Sequence, residues 1–525
     1  MDIDPASHAD ADPSTVITEQ TTVIQTTMSA LSDTQTTTVT ATVTDALIEQ
    51  QVDPAAATDE VGESLADPTM TVGVAMETEA VEITEASAPS GFSMFIHDVA
   101  QPCTLVASTG DRYNTTVQQS LSNEVHLIQQ RASPSNVHEA NNFFRNAKWS
   151  PDGTCLLTNS EDDVVRLFNM PPGLYGSPSE DIEPLEPILG IRGGETIYDF
   201  AWFPSMSIHD PATCCFLTSV RDHPVRLWDV TTGEIRASYC VIDHRERFIG
   251  PNVVAFNLDG SKIYCGYENM IEVFDVQREG QESTKLPTIP SRRSKQGQKG
   301  IISCLDFSPD YGGLYACGSY SQSIGIYDET NNELCLKLTG MQGGVTQVKF
   351  SPDGSLLFSA SRQSDAILCW DIRNTANILY ELPRPGKTNQ RITFDIAASG
   401  KVLVTGDQDG HIRFYDLEIG ASEEEDDETR PRLLRSFDGH QDITSCVTFN
   451  PVYPYIASTS GQRKFTVPEE SSSDDSDDED GQMSDMQQDV VIDNTLKIWQ
   501  VQGQYAWYPY ETDTFVEEET VTAEA

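Results

Sequence analysis

The 525-residue sequence has few basic residues and no long apolar run. It contains 33 Lys and Arg against 82 Asp and Glu, a formal net charge of -49, which at first argues against an anionic partner such as nucleic acid. No apolar stretch reaches the roughly 18 residues that cross a bilayer, so we expect no membrane partner. The chain does not open with a basic segment followed by an apolar one, which argues against a secretory signal.

Motifs for metal binding, cofactor binding and catalysis are also missing. The eleven cysteines include no Cys-x-x-Cys pair and no zinc-finger spacing, and most of them lie in apolar runs. We therefore expect reduced, buried thiols of an intracellular protein. No phosphate-binding loop, His-Glu-x-x-His motif or Ser-His-Asp set can be assembled, so we predict no enzyme, metal, cofactor or small-molecule substrate.

The acidity is concentrated in four segments. Residues 1–90, 423–428, 465–494 and 511–524 hold seventeen, six, eleven and six acids, which is 40 of the 82. The remaining 42 acids face 33 bases, so the body of the chain is only mildly acidic. We predict a disordered Thr/Ala/Asp-rich region at 1–90, a disordered acidic insertion at 464–493 and an acidic tail at 509–525, because such segments bury too little apolar surface to fold.

Between these segments the sequence repeats itself. Each unit has an apolar strand, a Pro-Asp-Gly-like turn, a second strand, a polar turn and a third strand that ends in an aromatic residue. The closing aromatic residues are Phe168, Trp228, Phe274, Tyr327, Trp370, Tyr415 and Trp499. Several intervals are about 43–46 residues long, close to the period of WD-type blades. The sequence therefore predicts an all-β fold, a seven-bladed WD-repeat β-propeller over residues 102–508.

Two further features bear on this fold. In four repeats an Asp lies six residues before the closing aromatic: Asp162, Asp222, Asp409 and Asp493. In WD repeats the Asp at this position holds the tight turn between the second and third strands. The apolar segment 103–107 precedes the first blade, and we expect it to supply the outer strand of the last blade. The alternative is an isolated N-terminal strand.

Loop order sorts the cations by face. If the strands of each blade are named a to d from the axis outward, the d–a and b–c loops share one face of the ring. The cations and amides predicted on this face are Arg391, Arg463, Lys299, Arg293, Arg362, Arg221, Gln390 and Gln462. Such a set suits phosphate contacts and hydrogen bonds to bases, and predicts an RNA-binding face. The alternative is that each Arg pairs with a neighbouring Asp or is solvated.

The acidic insertion leaves the b–c loop of the last blade, on the same face. Its serines are followed by acids, which makes Ser471, Ser472 and Ser476 candidate phosphorylation sites. We hypothesise that the insertion competes with an anionic ligand for the basic face. The alternative is a solvated loop without such a role.

Several strings go beyond what a propeller requires. They are Trp-Ser-Pro-Asp-Gly at 149–153 with 157–160, and the segments 195–202, 232–238, 300–304, 314–320, 388–392 and 457–463. With them the sequence resembles the telomerase Cajal body protein family, WD-repeat proteins that bind small Cajal body RNAs and telomerase RNA. Two of the strings contain Arg391 and Arg463.

The resemblance implies recognition of the CAB box in H/ACA-type guide RNAs and in telomerase RNA. It also implies telomerase holoenzyme assembly, H/ACA and telomerase proteins as partners, and a location in the nucleus and its Cajal bodies. The chain departs from the family in its N-terminus, its acidic insertion and its tail. The rival is a protein-only adaptor for a ubiquitin ligase or chromatin, and a propeller hydrolase is the least favoured option.

Overall fold

The computed structural model describes residues 91–110, 141–176, 181–242, 245–291, 293–294, 296–374, 378–418, 431–464 and 491–509. These residues form β-strands joined by turns, and among them the only helical element is a 3-10 turn at Pro172–Tyr175. No helix in the described ranges is long and apolar enough to cross a bilayer. The predicted tails and most of the acidic insertion lie outside these ranges.

The strands are numbered in chain order. The first seven are β1 (Gly91–His97), β2 (Thr104–Ser108), β3 (Phe144–Trp149), β4 (Cys155–Ser160), β5 (Val164–Asn169), β6 (Glu183–Pro184) and β7 (Pro187–Arg192). The next eight are β8 (Ile197–Trp202), β9 (Cys215–Val220), β10 (Val225–Asp229), β11 (Ile235–Tyr239), β12 (Val253–Phe256), β13 (Lys262–Tyr267), β14 (Met270–Asp275) and β15 (Thr284–Pro287).

The second half of the chain continues in the same way. Its first eight strands are β16 (Ile302–Phe307), β17 (Leu314–Ser319), β18 (Ser323–Asp328), β19 (Leu334–Thr339), β20 (Val345–Phe350), β21 (Leu356–Ser361), β22 (Ala366–Asp371) and β23 (Ile378–Pro383). The last eight are β24 (Phe394–Ile396), β25 (Val402–Gly406), β26 (His411–Asp416), β27 (Leu433–Asp438), β28 (Thr444–Phe449), β29 (Tyr455–Ser460), β30 (Leu496–Gln500) and β31 (Gly503–Pro509).

These strands build seven antiparallel blades, which confirms the predicted seven-bladed propeller. Blade 1 is β3-β4-β5-β7, and blades 2 to 6 are the successive groups of four from β8 to β27. Each predicted closing aromatic lies in the third strand of its blade. The second strands are the most deeply buried, and β4, β9 and β29 are buried along their whole length. This burial follows from their position between two other strands and between two neighbouring blades.

Blade 7 closes the ring between the two ends of the described chain. Its first three strands are β28, β29 and β30, and β2 pairs antiparallel with β30 as the fourth. The prediction that segment 103–107 supplies this outer strand is therefore confirmed. The strand β1 pairs with β31 along its whole length, from Gly91 opposite Pro509 to His97 opposite Gly503. This two-stranded clasp begins before residue 102, where the sequence analysis starts the propeller.

Apolar clusters lie between the blades, and this is where the core sits. Each of the seven clusters joins residues of two adjacent blades, including one that joins blade 7 to blade 1. In that last cluster Phe144 of β3 packs with Tyr455 and Ala457 of β29. Because every blade buries both of its faces, removal of any blade exposes two apolar surfaces.

A hydrogen-bonded chain of side chains holds blade 7 together. Trp499 Nε1 donates to Ser458 Oγ at 2.8 Å, and this hydroxyl lies 2.8 Å from His440 Nε2. The His440 Nδ1 atom lies 3.1 Å from Thr495 Oγ1, and this hydroxyl donates to Asp493 at 2.6 Å. The Asp493 carboxylate also accepts the backbone N–H of Gln441 at 2.8 Å. Burial lowers the pKa of His440, and although burial also opposes ionisation of Asp493, the hydrogen bonds it accepts hold its pKa far below the usual range.

Blade 6 departs from the predicted turn pattern. The spacing before the closing aromatic predicts that Asp409 holds the turn, but this residue is exposed. Asp407, two residues earlier, is fully buried and accepts the backbone N–H groups of Asp409 and His411, each at 2.9 Å, and Arg413 Nε at 2.8 Å. The prediction for Asp409 is wrong because spacing alone does not distinguish two carboxylates that flank one turn.

Candidate nucleic-acid interface

The first strands of the blades surround an axial cavity of about 1290 Å³. On the face formed by the d–a and b–c loops, the cavity is lined by loop residues, and this opening is called the mouth. Five residues of the predicted RNA-binding set line the cavity: Arg362, Arg391, Arg463, Gln390 and Gln462. They come from the b–c turns of blades 5 and 7 and from the loop that joins blade 5 to blade 6. The closed ring thus brings distant parts of the sequence to one opening.

Two arginines converge on one tyrosine at the mouth. Arg391 Nη2 donates to Tyr320 Oη at 2.8 Å, and Arg362 Nη2 donates to the same oxygen at 3.1 Å. The Arg362 guanidinium also lies 4.3 Å from the centroid of the Tyr320 ring, in a cation–π contact. Arg391 donates in addition to the backbone carbonyl of Ser303 at 3.3 Å. These hydrogen-bond partners are neutral; the Asp199 carboxylate also acts electrostatically on Arg391, but its ion pair is with Lys148.

Arg463 has a different environment. It forms an ion pair with Glu161, and the same carboxylate accepts Arg145 Nε at 2.8 Å. The Arg463 side chain is 58% exposed, whereas those of Arg145 and Glu161 are 23% and 22% exposed. Glu161 therefore pairs with two guanidinium groups at this side of the mouth, and Asp163 lies 3.8 Å from Arg145 as a second carboxylate.

The two glutamines hold the loops that carry the arginines. Gln390 Nε2 donates to the carbonyl of Gly461 at 2.7 Å, which ties the loop before blade 6 to the b–c loop of blade 7. Gln462 Nε2 donates to Asp442 Oδ1 at 2.6 Å. These contacts position Arg391 and Arg463 relative to each other, although the two residues are far apart in the sequence.

Three predicted cations are not among the residues that line the cavity. Arg221, Arg293 and Lys299 are exposed in b–c and d–a loops of the same face. Arg221 lies 3.5 Å from Asp222 in an ion pair whose two members are mostly solvated. The candidate phosphorylation sites Ser471, Ser472 and Ser476 lie outside the described residues.

The cavity is also lined by charged side chains that the sequence-based prediction of the RNA-binding set does not include. Lys148 pairs with Asp199 at 3.0 Å, and Lys349 forms an ion pair with Asp395. Both pairs connect the first strands of adjacent blades. Their signal in the sequence is a single charge between apolar residues just before the turn, as in Val-Lys-Phe at 348–350. Strand alternation places such a charge on the face opposite to its apolar neighbours, where it meets the first strand of the adjacent blade.

A third carboxylate, Asp306, lines the same cavity. It accepts the backbone N–H of Phe350 at 2.8 Å, which connects blade 4 to blade 5. Burial raises the pKa of Asp306 to about 6, and the nearby Lys349 ammonium opposes this rise only in part. Lys349 forms its ion pair with Asp395 instead. Asp306 is therefore poised to accept a hydrogen bond.

One cluster has the residue types of a metal site. One ligand atom from each of Asp407, Asp409 and His411 lies within 4.8 Å of the others. Asp407 already accepts Arg413 Nε and two backbone N–H groups, so its oxygens serve the turn of blade 6. This donor set fits a structural turn better than a cation site, and we assign no metal to it.

The fold and the mouth define a class: a WD-repeat β-propeller whose loop face carries arginines around an axial cavity. The sequence matches the family described as "WD domain, G-beta repeat" at residues 136–169, 290–328, 332–371 and 431–466. The chain also belongs to the telomerase Cajal body protein family. The evidence for membership comes from similar mammalian proteins that carry this name.

The chain is 39% identical to "Telomerase Cajal body protein 1" of Mus musculus, over 62% of this chain and 60% of that protein. It is 39% identical to the Homo sapiens protein of the same name, over 63% and 59%. It is 34% identical to "Guanine nucleotide-binding protein negative regulator 1" of Schizosaccharomyces pombe, over 52% of this chain and 70% of that protein. The chain thus spans about three fifths of the length of these mammalian relatives. None of the three names is that of an enzyme.

Proposed function

We propose that this protein binds a single-stranded RNA loop on its d–a/b–c face, and that the RNA is the CAB box of H/ACA-type small Cajal body RNAs and of telomerase RNA. The observation that carries the proposal is the convergence of Arg362 and Arg391 on Tyr320, with Arg463 at the same mouth. Arg binds phosphates and stacks on bases, and single-stranded RNA is read by such contacts. The choice of RNA rests on family membership.

In this proposal the propeller acts as a scaffold with no catalytic role. It supports assembly of the telomerase holoenzyme and the localisation of ribonucleoprotein particles to the nucleus and its Cajal bodies. Its partners besides RNA are proteins of the H/ACA particle and of telomerase. Support comes from the relatives named for telomerase and the Cajal body, to which the chain is 39% identical.

Exposed cations outside the cavity extend the proposed contact surface. Arg221, Arg293 and Lys299 lie on the same face and would contact the phosphates of RNA that leaves the mouth. Such contacts add affinity without reading sequence. Their loss should weaken binding to all RNAs about equally.

Charge reversal at the mouth tests the proposal. We expect the Arg391→Glu, Arg463→Glu double variant to weaken RNA binding at least 10-fold and to flatten its salt dependence, because two phosphate contacts are lost. A double variant on the opposite face, Arg278→Glu with Arg373→Glu, makes the same change in net charge and should bind within about 3-fold of the parent protein. Unchanged affinity in a folded mouth variant would refute the assignment.

Crosslinking in cells addresses the identity of the RNA. Enrichment of H/ACA guide RNAs and telomerase RNA is expected with the parent protein and not with the mouth variant. Background RNA alone would favour the rival, a protein-only adaptor of a ubiquitin ligase or chromatin.

A further inference from the structure

The two arginines at Tyr320 differ from those that hold the turns and strands of the blades by ion pairs. Four arginines with well-defined partners each pair with a carboxylate: Arg145, Arg166, Arg236 and Arg413. In the described part of the chain, neither Arg362 nor Arg391 forms an ion pair, and both donate to one neutral phenol oxygen. Two like charges that share a neutral acceptor repel each other, and an anion between them relieves this repulsion.

The cavity beneath this pair has room for a ligand. Its volume of about 1290 Å³ exceeds the roughly 300–1,000 Å³ of usual small-molecule sites. At the end away from the mouth, Phe95 and His97 of the strand β1 line the cavity, and the His97 ring packs against Phe449 at 4.6 Å. The arginine pair lies at the other end, on the d–a/b–c face, so a ligand that it binds is held at the mouth.

The interior suits a base better than a phosphate. It contains the carboxylates of Asp199, Asp306 and Asp395. Asp199 is already paired with Lys148, and Asp395 with Lys349. Asp306 accepts the backbone N–H of Phe350 and forms no ion pair within the described ranges. A carboxylate in this setting repels a phosphate and accepts a hydrogen bond from an exocyclic amino group.

The spacing along one strand matches the length of a nucleotide. Arg391 donates to the carbonyl of Ser303, near the start of β16, and Asp306 lies three residues further along the same strand. At the rise of a β-strand, this separation is about 10 Å. A phosphate held at the arginine pair would thus place its base at the depth of Asp306.

We propose that the axial cavity is a nucleotide pocket: Arg362 and Arg391 bind one phosphate of the RNA, and the attached base is unstacked and enters the cavity toward Asp306. This inference rests on the proposed function and adds to it where and how one nucleotide is held. Cytosine, adenine and guanine offer an exocyclic amino donor to Asp306, whereas uracil offers none. The pocket should therefore disfavour uracil.

Mononucleotides test the pocket without the rest of the RNA. Full-length protein is titrated with CMP, AMP, UMP and inorganic phosphate by isothermal titration calorimetry. We expect CMP and AMP to bind at least 5-fold more tightly than UMP, and phosphate to bind most weakly. The Arg362→Gln variant should lose at least 10-fold in CMP affinity, in line with the loss of a charge-assisted hydrogen bond. The matched variant Arg373→Gln, on the opposite face, should bind CMP like the parent protein.

Two conservative variants separate the role of the Tyr320 hydroxyl from that of the Asp306 carboxylate. Tyr320→Phe keeps both charges and removes the hydroxyl that orients them, and it should weaken CMP binding about 3-fold. Asp306→Asn should narrow the difference between CMP and UMP, because an amide can present either a donor or an acceptor. Circular dichroism and thermal melting establish that each variant is folded.

The outcomes distinguish this inference from the proposed function. Equal affinities for CMP and UMP, or a folded Arg362→Gln variant that binds CMP like the parent, would overturn the pocket. If that happens while the protein still binds H/ACA-type RNA, the proposed function stands and only the pocket is wrong. If CMP binds as expected but long RNA is not bound above background, the pocket stands and the proposed function fails.

Discussion

Glu161 is the residue at the mouth whose loss should strengthen RNA binding. Its carboxylate pairs with both Arg463 and Arg145, so it competes with RNA phosphates for two cations. Ion pairs of this exposure contribute about 0.2–1 kcal/mol each. The Glu161→Gln variant no longer requires RNA to break these pairs, which predicts a gain of about 0.4–2 kcal/mol, or about 2- to 30-fold in affinity. The stability of the free protein should fall by a similar amount.

The assay is fluorescence anisotropy with a labelled single-stranded RNA at several salt concentrations. The salt slope should steepen by about 0.7 for each additional phosphate contact. Glu418→Gln is the matched control, because Glu418 pairs with Lys401 at 2.7 Å on the opposite face and the change in net charge is identical. Equal affinities for the two variants would show that overall charge, and not release of Arg463 and Arg145, governs binding. A weaker complex with Glu161→Gln would refute the reasoning outright.

Three further predictions concern stability and the acidic insertion. Burial lowers the pKa of His97 to about 4, so the contribution of His97 to the free energy of unfolding is complete above about pH 6.5 and should fall by about 1.4 kcal/mol per pH unit as the pH drops toward 4. Urea titrations at several pH values should show this pH dependence for the parent protein and a weaker one for His97→Phe. The same pH dependence of the free energy of unfolding in both proteins would contradict the prediction. In urea titrations, Asp493→Asn should lower the free energy of unfolding by about 1–3 kcal/mol, because Asp493 accepts the Thr495 hydroxyl at 2.6 Å and the Gln441 N–H at 2.8 Å. The exposed Asp409→Asn should change this free energy by less than about 0.5 kcal/mol. Deletion of residues 467–491 should raise RNA affinity at low salt, and no gain would refute competition by the insertion.

The fold can be predicted from the sequence because the sequence repeats. Apolar strands, Pro-Asp-Gly-like turns and closing aromatics are local patterns, and seven copies of them predict seven blades. The closing strand could also be predicted, because a blade with three strands needs a fourth and segment 103–107 was the apolar segment left over. The clasp of β1 and β31 was not predicted, because an isolated pair of strands carries no periodic signal.

Only part of the candidate site can be predicted from the sequence. Loop order correctly sorts residues by face, but it says nothing of their distance from the axis. Arg362, Arg391 and Arg463 line the axial cavity, while Arg221, Arg293 and Lys299, chosen by the same argument, lie outside its lining. The lysines and carboxylates inside the cavity were missed because a single charge in an apolar strand is also compatible with an exposed edge.

The number of blades, the class of protein and the face on which the loop cations lie can be predicted from the amino-acid sequence, because each of these follows from patterns within one repeat. Which charges meet depends on the three-dimensional arrangement of the blades. Closure of the ring places Tyr320 within hydrogen-bond distance of Arg362 and Arg391, which form no ion pair in the described chain, whereas Arg463 pairs with Glu161. Electrostatic energy depends on such distances, and no count of charges along the chain contains them.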